Sequence, residues 1–334
     1  MKNLKNYLKN NIKSILKVLL IYVILIILFT VPINYQIYTP GGTIDISKRI
    51  KIDNDYDLSG SFNLTYVSGK KGIIPLVLLS YVIPSWDLEP ISNLQIENES
   101  YDEIISRQQL YLKSGVQNSI INAFNEANID IGLSNPKLVV MYVLENADTD
   151  LKVKDEIKEI NGVSVSSFEE LSNELSKYDE NDTLEIKVIR NNKTIITTSK
   201  LKEIENKKIL GIVVTTFYDF DTEPSVEFIY KNSESGSSGG LMNALYIYSI
   251  ITNQDLTKGD KIAGTGTLEI DGTVGEIDGL KYKIMGAVRN KADVFITGPN
   301  NIEEARNIIE KNNYDIELIE AETLNDIINK LSNR

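Results

Sequence analysis

Residues 18–33 form an uncharged apolar run, from Val18 through Leu19, Leu20 and Ile21 to Val31, Pro32 and Ile33. With Ile15, Leu16 and the aliphatic stem of Lys17 it reaches the ~17–25 residues that a helix needs to cross a bilayer. Lys2, Lys5, Lys9, Lys13 and Lys17 precede the run without an intervening acid. The excess of lysine on that side places the N-terminus in the cytoplasm and everything after residue 34 outside. The first alanine is Ala123, so no Ala-x-Ala cleavage site follows the run. Residues 1–34 are therefore expected to be a retained anchor rather than a removed signal peptide.

At 334 residues the chain has room for two or three domains. Its net charge of −12 includes the five N-terminal lysines, so the remainder carries −17. That balance argues against a nucleic-acid partner, whose phosphates need a basic surface. The chain has no cysteine, so exported domains must stand on their cores. It has no histidine either. A Ser-His-Asp triad, a Cys-His pair and a His-rich zinc site are excluded, and no metal or other cofactor is expected. Covalent acyl chemistry would need a lysine or a carboxylate as its base.

Residues 35–135 read as a membrane-proximal region. Thr39-Pro40-Gly41-Gly42 is a turn signal, Gly60 to Val67 alternates like a half-buried strand, and Glu103 to Ala127 has helical spacing. Residues 136–204 read as a compact module. Its signals are an apolar strand at Leu138–Leu144, Asn161-Gly162 as a hairpin turn, a helix opened by Ser166-Ser167 with Glu169-Glu170, and strands flanking Asn191-Asn192. This order of elements resembles a PDZ domain. The Gly-Leu-Gly-Phe type carboxylate-binding loop of such domains is not legible, and Gly132-Leu133-Ser134-Asn135 is a degenerate version of it. Residues 205–334 mix strands with helices, beginning with a β-branched strand at Leu210–Thr216, and read as a layered α/β domain.

Two segments of that last domain carry chemistry. Ser238 lies in Gly236-Ser237-Ser238-Gly239-Gly240, ahead of an apolar helix running to about Ile251. Unpaired N–H groups and the positive dipole end at such a helix start can stabilise an oxyanion. Lys283 falls between Leu280, Ile284, Ala287 and Val288 on the apolar stripe of a second helix. A desolvated lysine can be neutral near pH 7 and act as a base.

These segments resemble the proteolytic domain of Lon proteases. Gly236-Ser237-Ser238-Gly239-Gly240 matches the family's Gly-Pro-Ser-Ala-Gly with proline and alanine replaced, and Asp278-Gly279-Leu280-Lys281-Tyr282-Lys283 matches its Gly-Gly-Leu-Lys-x-Lys with Asp278 for the first glycine. Gly264-Thr265-Gly266 matches its Thr-Gly strand. The resemblance implies Ser238 as nucleophile, Lys283 as base, Thr265 as the residue orienting the lysine, and Ser237, Ser238 and Gly239 as oxyanion backbone. The layout is similar to membrane-anchored, PDZ-containing Lon-like serine proteases of bacteria. The fold expected is α+β: one N-terminal transmembrane helix, a PDZ-like β-rich module and a C-terminal Lon-type α/β domain. The activity expected is cleavage of peptides or exported proteins outside the membrane without ATP, for no Gly-x-x-x-x-Gly-Lys-Ser/Thr occurs. A homo-oligomer is a further expectation from the family.

Two other readings compete. One is a tethered peptide-binding adaptor, catalytically weak or inactive, which the altered Gly-Ser-Ser-Gly-Gly loop would suit. The other is penicillin-type acyl transfer at Ser68-Gly69-Lys70-Lys71, a Ser-x-x-Lys match lying in a turn rather than on a helix.

Overall fold

The computed structural model describes residues 2–96, 99–204, 207–231 and 233–334. The chain divides into two units. One holds the residues up to Pro40 together with Val67–Leu94, the other Gly41–Tyr66 together with Gln95–Arg334. The stretch expected as a membrane-proximal region is thus shared between them.

In the first unit, helix α1 (Lys2–Thr30) contains a stretch, Asn10–Thr30, long and apolar enough to cross a membrane. After it, Ile33 N–H donates to Gly72 O at 2.9 Å and Gly72 N–H to Tyr35 O at 2.7 Å. A short helix α2 (Ile74–Ser80) follows Gly72, with Pro75 in its first turn. Strand Asp87–Pro90 then returns antiparallel along Tyr35–Tyr38. Thr39-Pro40-Gly41-Gly42 is not a turn but lies inside the extended strand Tyr35–Asp45. Ser68 and Lys71 end the strand Ser61–Lys71. Three residues apart on a strand they point to opposite faces, which removes the Ser-x-x-Lys reading.

In the second unit, helix α3 (Tyr101–Glu126) opens with a capping box in which Ser100 and Glu103 satisfy each other's backbone N–H. Arg107 grips Glu99 through two bonds of 2.7 Å and fixes the approach to that helix. A PDZ-like sheet follows in the antiparallel order Ile212–Asp219, Ser134–Val143, Glu156–Ile160, Thr183–Arg190, Lys193–Lys200. Its turns behave as their residues dictate: Asn161 and Gly162 have φ of 47° and 81°, Asn191 and Asn192 51° and 60°. Helix α4 (Phe168–Leu175), capped by Ser167, buries Leu171 and Leu175 in the same core as Leu138, Val140, Ile157, Ile186 and Val188.

Asp155, fully buried at the edge of that core, takes Arg190 Nε at 2.7 Å, Arg190 Nη2 at 2.6 Å and the Lys152 N–H at 2.7 Å. Arg190→Ala would leave the carboxylate uncompensated. The expected cost is about 3 kcal/mol, at the lower end for a broken buried pair because Arg190 keeps some contact with water. Hydrogen exchange across Glu156–Ile160 and Thr183–Arg190 would read it. Replacing both residues by apolar ones is expected to restore most of the loss.

The other sheet is parallel where it meets the segments that carry Ser238 and Lys283. Glu317–Glu320, Val294–Thr297, Lys261–Gly264 and Ser61–Lys71 lie side by side, with Ile262 opposite Phe62 on one flank and Val294 on the other. Successive side chains leave on opposite faces. Phe62, Ile262, Val294 and Ile296 meet α3, helix α5 (Gly240–Ile251) and the C-terminal helix. Ala263 and Phe295 meet helix α6 (Leu280–Arg289) and helix α7 (Pro299–Asn312) on the other. Helix α8 (Leu324–Ser332), capped by Thr323, ends the chain. Helices on both faces explain why the central strand Val294–Thr297 is buried along its whole length rather than alternating.

Candidate active site

Three elements of the parallel layer converge on one point. Lys283 sits in the first turn of α6, which Gly279 starts in the left-handed region at φ 71°. The helix aims the side chain into the domain, where the residue is 4% exposed. Burial pushes the amine down to about 8 from 10.5, with the Asp278 carboxylate opposing the shift. Thr265, fully buried, follows the Lys261–Gly264 strand and is fixed by its N–H on Ile296 O at 2.9 Å. Gly264 before it has no room for a side chain: a Cβ there would lie 2.5 Å from Met242 Sδ and 2.8 Å from Ile296 O.

Ser238 ends the loop that leads into α5. Its carbonyl accepts from the Gly266 N–H at 2.9 Å and from Thr265 Oγ1 at 3.1 Å. Lys283 Nζ in turn donates to Thr265 Oγ1 at 3.1 Å. A hydroxyl has one hydrogen to give. Because Thr265 spends it on Ser238 O, the lysine must be the donor, and a neutral amine keeps its lone pair free. Serine and lysine are thus joined through Thr265; among the described residues no direct hydrogen bond links Ser238 Oγ to Lys283 Nζ.

The same contacts orient the backbone. A trans peptide points its N–H opposite to its C=O. The Ser238 carbonyl is held inward by Thr265 and Gly266, so the Gly239 N–H faces away from them. The Ser237 carbonyl accepts from the Gly240 N–H at 3.0 Å, which turns the Ser238 N–H outward likewise. Among the described residues the N–H groups of Ser237, Ser238 and Gly239 have no hydrogen-bond acceptor. Such a run of unpaired donors at a helix start suits a negative oxygen.

Reading the sequence missed the wall behind this loop. A Cβ on Gly115 of α3 would stand 3.1 Å from Ser237 Cα and 3.2 Å from its Cβ. Ser237 therefore packs on α3. The same helix holds Gly236 N–H through Gln108 O at 3.0 Å and Gly240 O through Ser119 Oγ at 2.9 Å. Arg49 pairs with Glu234 at the loop's entrance. The available signal was Gly115 itself, since glycine within a helical pattern costs about 1 kcal/mol and needs a packing reason.

Comparison with known families places a serine peptidase domain on these segments. Residues 231–333 match the Lon protease (S16) C-terminal proteolytic domain, and residues 117–201 match a PDZ domain. The chain carries both, preceded by one apolar helix long enough to be a membrane anchor. No curated protein matches it. Among solved structures it is similar to PDZ domains of SdrC-like proteins from Listeria monocytogenes (24% identity, 23% of this chain, 85% of the other, TM-score 0.22) and Listeria innocua (28%, 23%, 92%, TM-score 0.22). It is also similar to a solution structure from Geobacillus thermodenitrificans (24%, 23%, 94%, TM-score 0.22).

Proposed function

We propose that the protein is a membrane-anchored serine endopeptidase that needs no ATP and cleaves peptides or exported proteins outside the cytoplasmic membrane. The observation that carries this reading is the chain Lys283–Thr265–Ser238, with a water-shielded amine at one end and unpaired N–H groups at the other. Substrate docks with its carbonyl carbon over Ser238 Oγ. On docking, the Ser238 side chain turns its Oγ to Lys283 Nζ, neutral Lys283 takes the hydroxyl proton as Oγ bonds to that carbon, and the carbonyl electrons move onto an oxygen held by the N–H groups of residues 237–239. The ammonium then protonates the leaving amine as the C–N bond breaks. A water then attacks the acyl carbon, giving a proton to Lys283, and Lys283 returns that proton to Ser238 Oγ as the acyl–oxygen bond breaks, which restores the hydroxyl and the neutral amine.

In the PDZ-like sheet one edge strand is Ile212–Asp219 and the other Lys193–Lys200. Gln117 of α3 closes part of the Ile212–Asp219 edge, bonding Thr216 O at 3.0 Å and the Tyr218 N–H at 2.8 Å. An extended substrate would pair with the remainder by strand addition. Assembly into a homo-oligomer stays part of the proposal through the Lon-type domain alone.

The test is labelling of the full-length protein in detergent, without nucleotide, by a serine-directed fluorophosphonate. The label is expected on the peptide containing Ser238, together with cleavage of an unfolded protein. A protein that binds peptides but takes no label and cuts nothing would instead be the tethered adaptor.

A further inference from the structure

From Gly72 to Trp86 no residue is charged, and the segment is rich in Ile, Leu, Val, Pro, Tyr and Trp. A stretch of that composition in a water-soluble unit would be its core. Here it is the reverse: α2 reads Ile-Pro-Leu-Val-Leu-Leu-Ser and buries none of its residues. Leu78 is 63% exposed, Tyr81 78% and Val82 75%, with Ile74 and Leu79 also on the surface.

The position of the segment says what covers it. It belongs to the same unit as α1 and lies against it. The bonds between Ile33, Tyr35 and Gly72 tie its start to the residues just beyond the end of α1. Strand Asp87–Pro90, pairing with Tyr35–Tyr38, ties its end to the same place. Between these ties the chain folds on itself, with Ile83 N–H on Leu79 O at 2.9 Å and Trp86 N–H on Ile83 O at 3.0 Å. An apolar projection held where a spanning helix leaves the bilayer meets the boundary between headgroups and acyl chains. Tyr and Trp favour that boundary, and exposed Lys70 and Lys71 just before it suit phosphate headgroups.

We propose that residues 73–86 form a second membrane contact, lying in the bilayer interface beside α1. This rests on α1 being a membrane anchor. The occupant is lipid, and the contact sets the height and tilt at which the following chain leaves the membrane.

Trp86 is the single tryptophan, so its fluorescence reports this segment alone. The full-length chain would be reconstituted at low density in phosphatidylcholine–phosphatidylglycerol vesicles carrying spin-labelled lipid. The expected result is blue-shifted emission, quenched more by a label near the headgroups than by one at the bilayer centre. Leu78→Asp combined with Val82→Asp is expected to shift emission to the red and reduce quenching at least about twofold. Water-like emission insensitive to labelled lipid, from protein that resists alkaline extraction, would overturn the interfacial contact and leave the anchor standing. Release by alkali would overturn the anchor instead. A blue shift that vanishes as protein is diluted in lipid would assign the surface to a second copy and overturn the proposal.

Discussion

Ser238→Ala is expected to lower peptide cleavage by at least about 10⁴-fold, a loss of about 5.5 kcal/mol of transition-state stabilisation, while leaving the fold intact. Removing the nucleophile ends the acyl-enzyme route, and what remains is whatever oriented water achieves with the N–H groups still in place. Ser237→Ala is the informative companion. Both serines stand in the same Gly-Ser-Ser-Gly-Gly run, so chemistry alone does not separate them. We propose Ser238 because Ser237 packs on Gly115 of α3, whereas the Ser238 backbone carbonyl is bonded to the hydroxyl that also holds Lys283. Ser237→Ala keeps its backbone N–H and is expected to retain activity within about threefold, since its side chain takes no part in the chemistry. Steady-state cleavage and fluorophosphonate labelling of the two variants side by side would decide it. Equal loss in both would mean that the loop as a whole, and not one hydroxyl, had been disturbed.

The same loop shows what replaces the missing proline and alanine of the Lon-type motif. A proline would fix one backbone angle. Here Gly236 adopts φ 86°, and the loop is held from outside by Gln108 O, Ser119 Oγ and the Arg49–Glu234 pair. Preorganisation has moved from the loop's own residues to its neighbours.

That transfer marks the boundary of what residue patterns could tell. Local chemistry was legible where a few adjacent residues decide the outcome: the Asn161-Gly162 turn, the Ser167 cap, the apolar stripe that carries Lys283 inward. Long-range pairing was not. The Ser61–Lys71 strand alternates like many half-buried strands, and nothing in it names Lys261–Gly264 as its parallel partner. Ile212–Asp219 is β-branched enough to fit either sheet, and it joins the PDZ-like one. The Thr39–Gly42 segment reads as a turn from its proline and glycines, yet Gly41 is there because the Tyr66 carbonyl would stand 2.1 Å from a Cβ. Close approach and turn formation call on the same residue type.

Lys283→Met separates function from stability most sharply, because the two should move in opposite directions. A fall from 10.5 to about 8 means that burial disfavours the ammonium by about 3 kcal/mol. Below pH 8 the folded and unfolded chains both hold the proton, and the folded state bears that cost in full. Between pH 8 and 10.5 the unfolded chain keeps a proton that the folded one has released, so stability rises with pH through that window. Methionine fills the same space without charge. After the lost bond to Thr265 is deducted, at about 1 kcal/mol, the variant should be about 2 kcal/mol more stable at pH 7. Its advantage over the native protein should disappear by about pH 10. Cleavage should fall by about 10⁴-fold at the same time. In the native enzyme the neutral fraction of an amine titrating near 8 rises about tenfold from pH 7 to pH 9, and the acylation rate should follow it. Asp278 holds that titration up, so Asp278→Asn should move the rise to lower pH, by a small amount because the carboxylate is exposed. Thermal unfolding and single-turnover labelling across pH 6–10 read both effects on the same samples. A Lys283→Met protein that was less stable than the native one at pH 7 would mean that the amine is held for packing, and the base would have to be sought elsewhere.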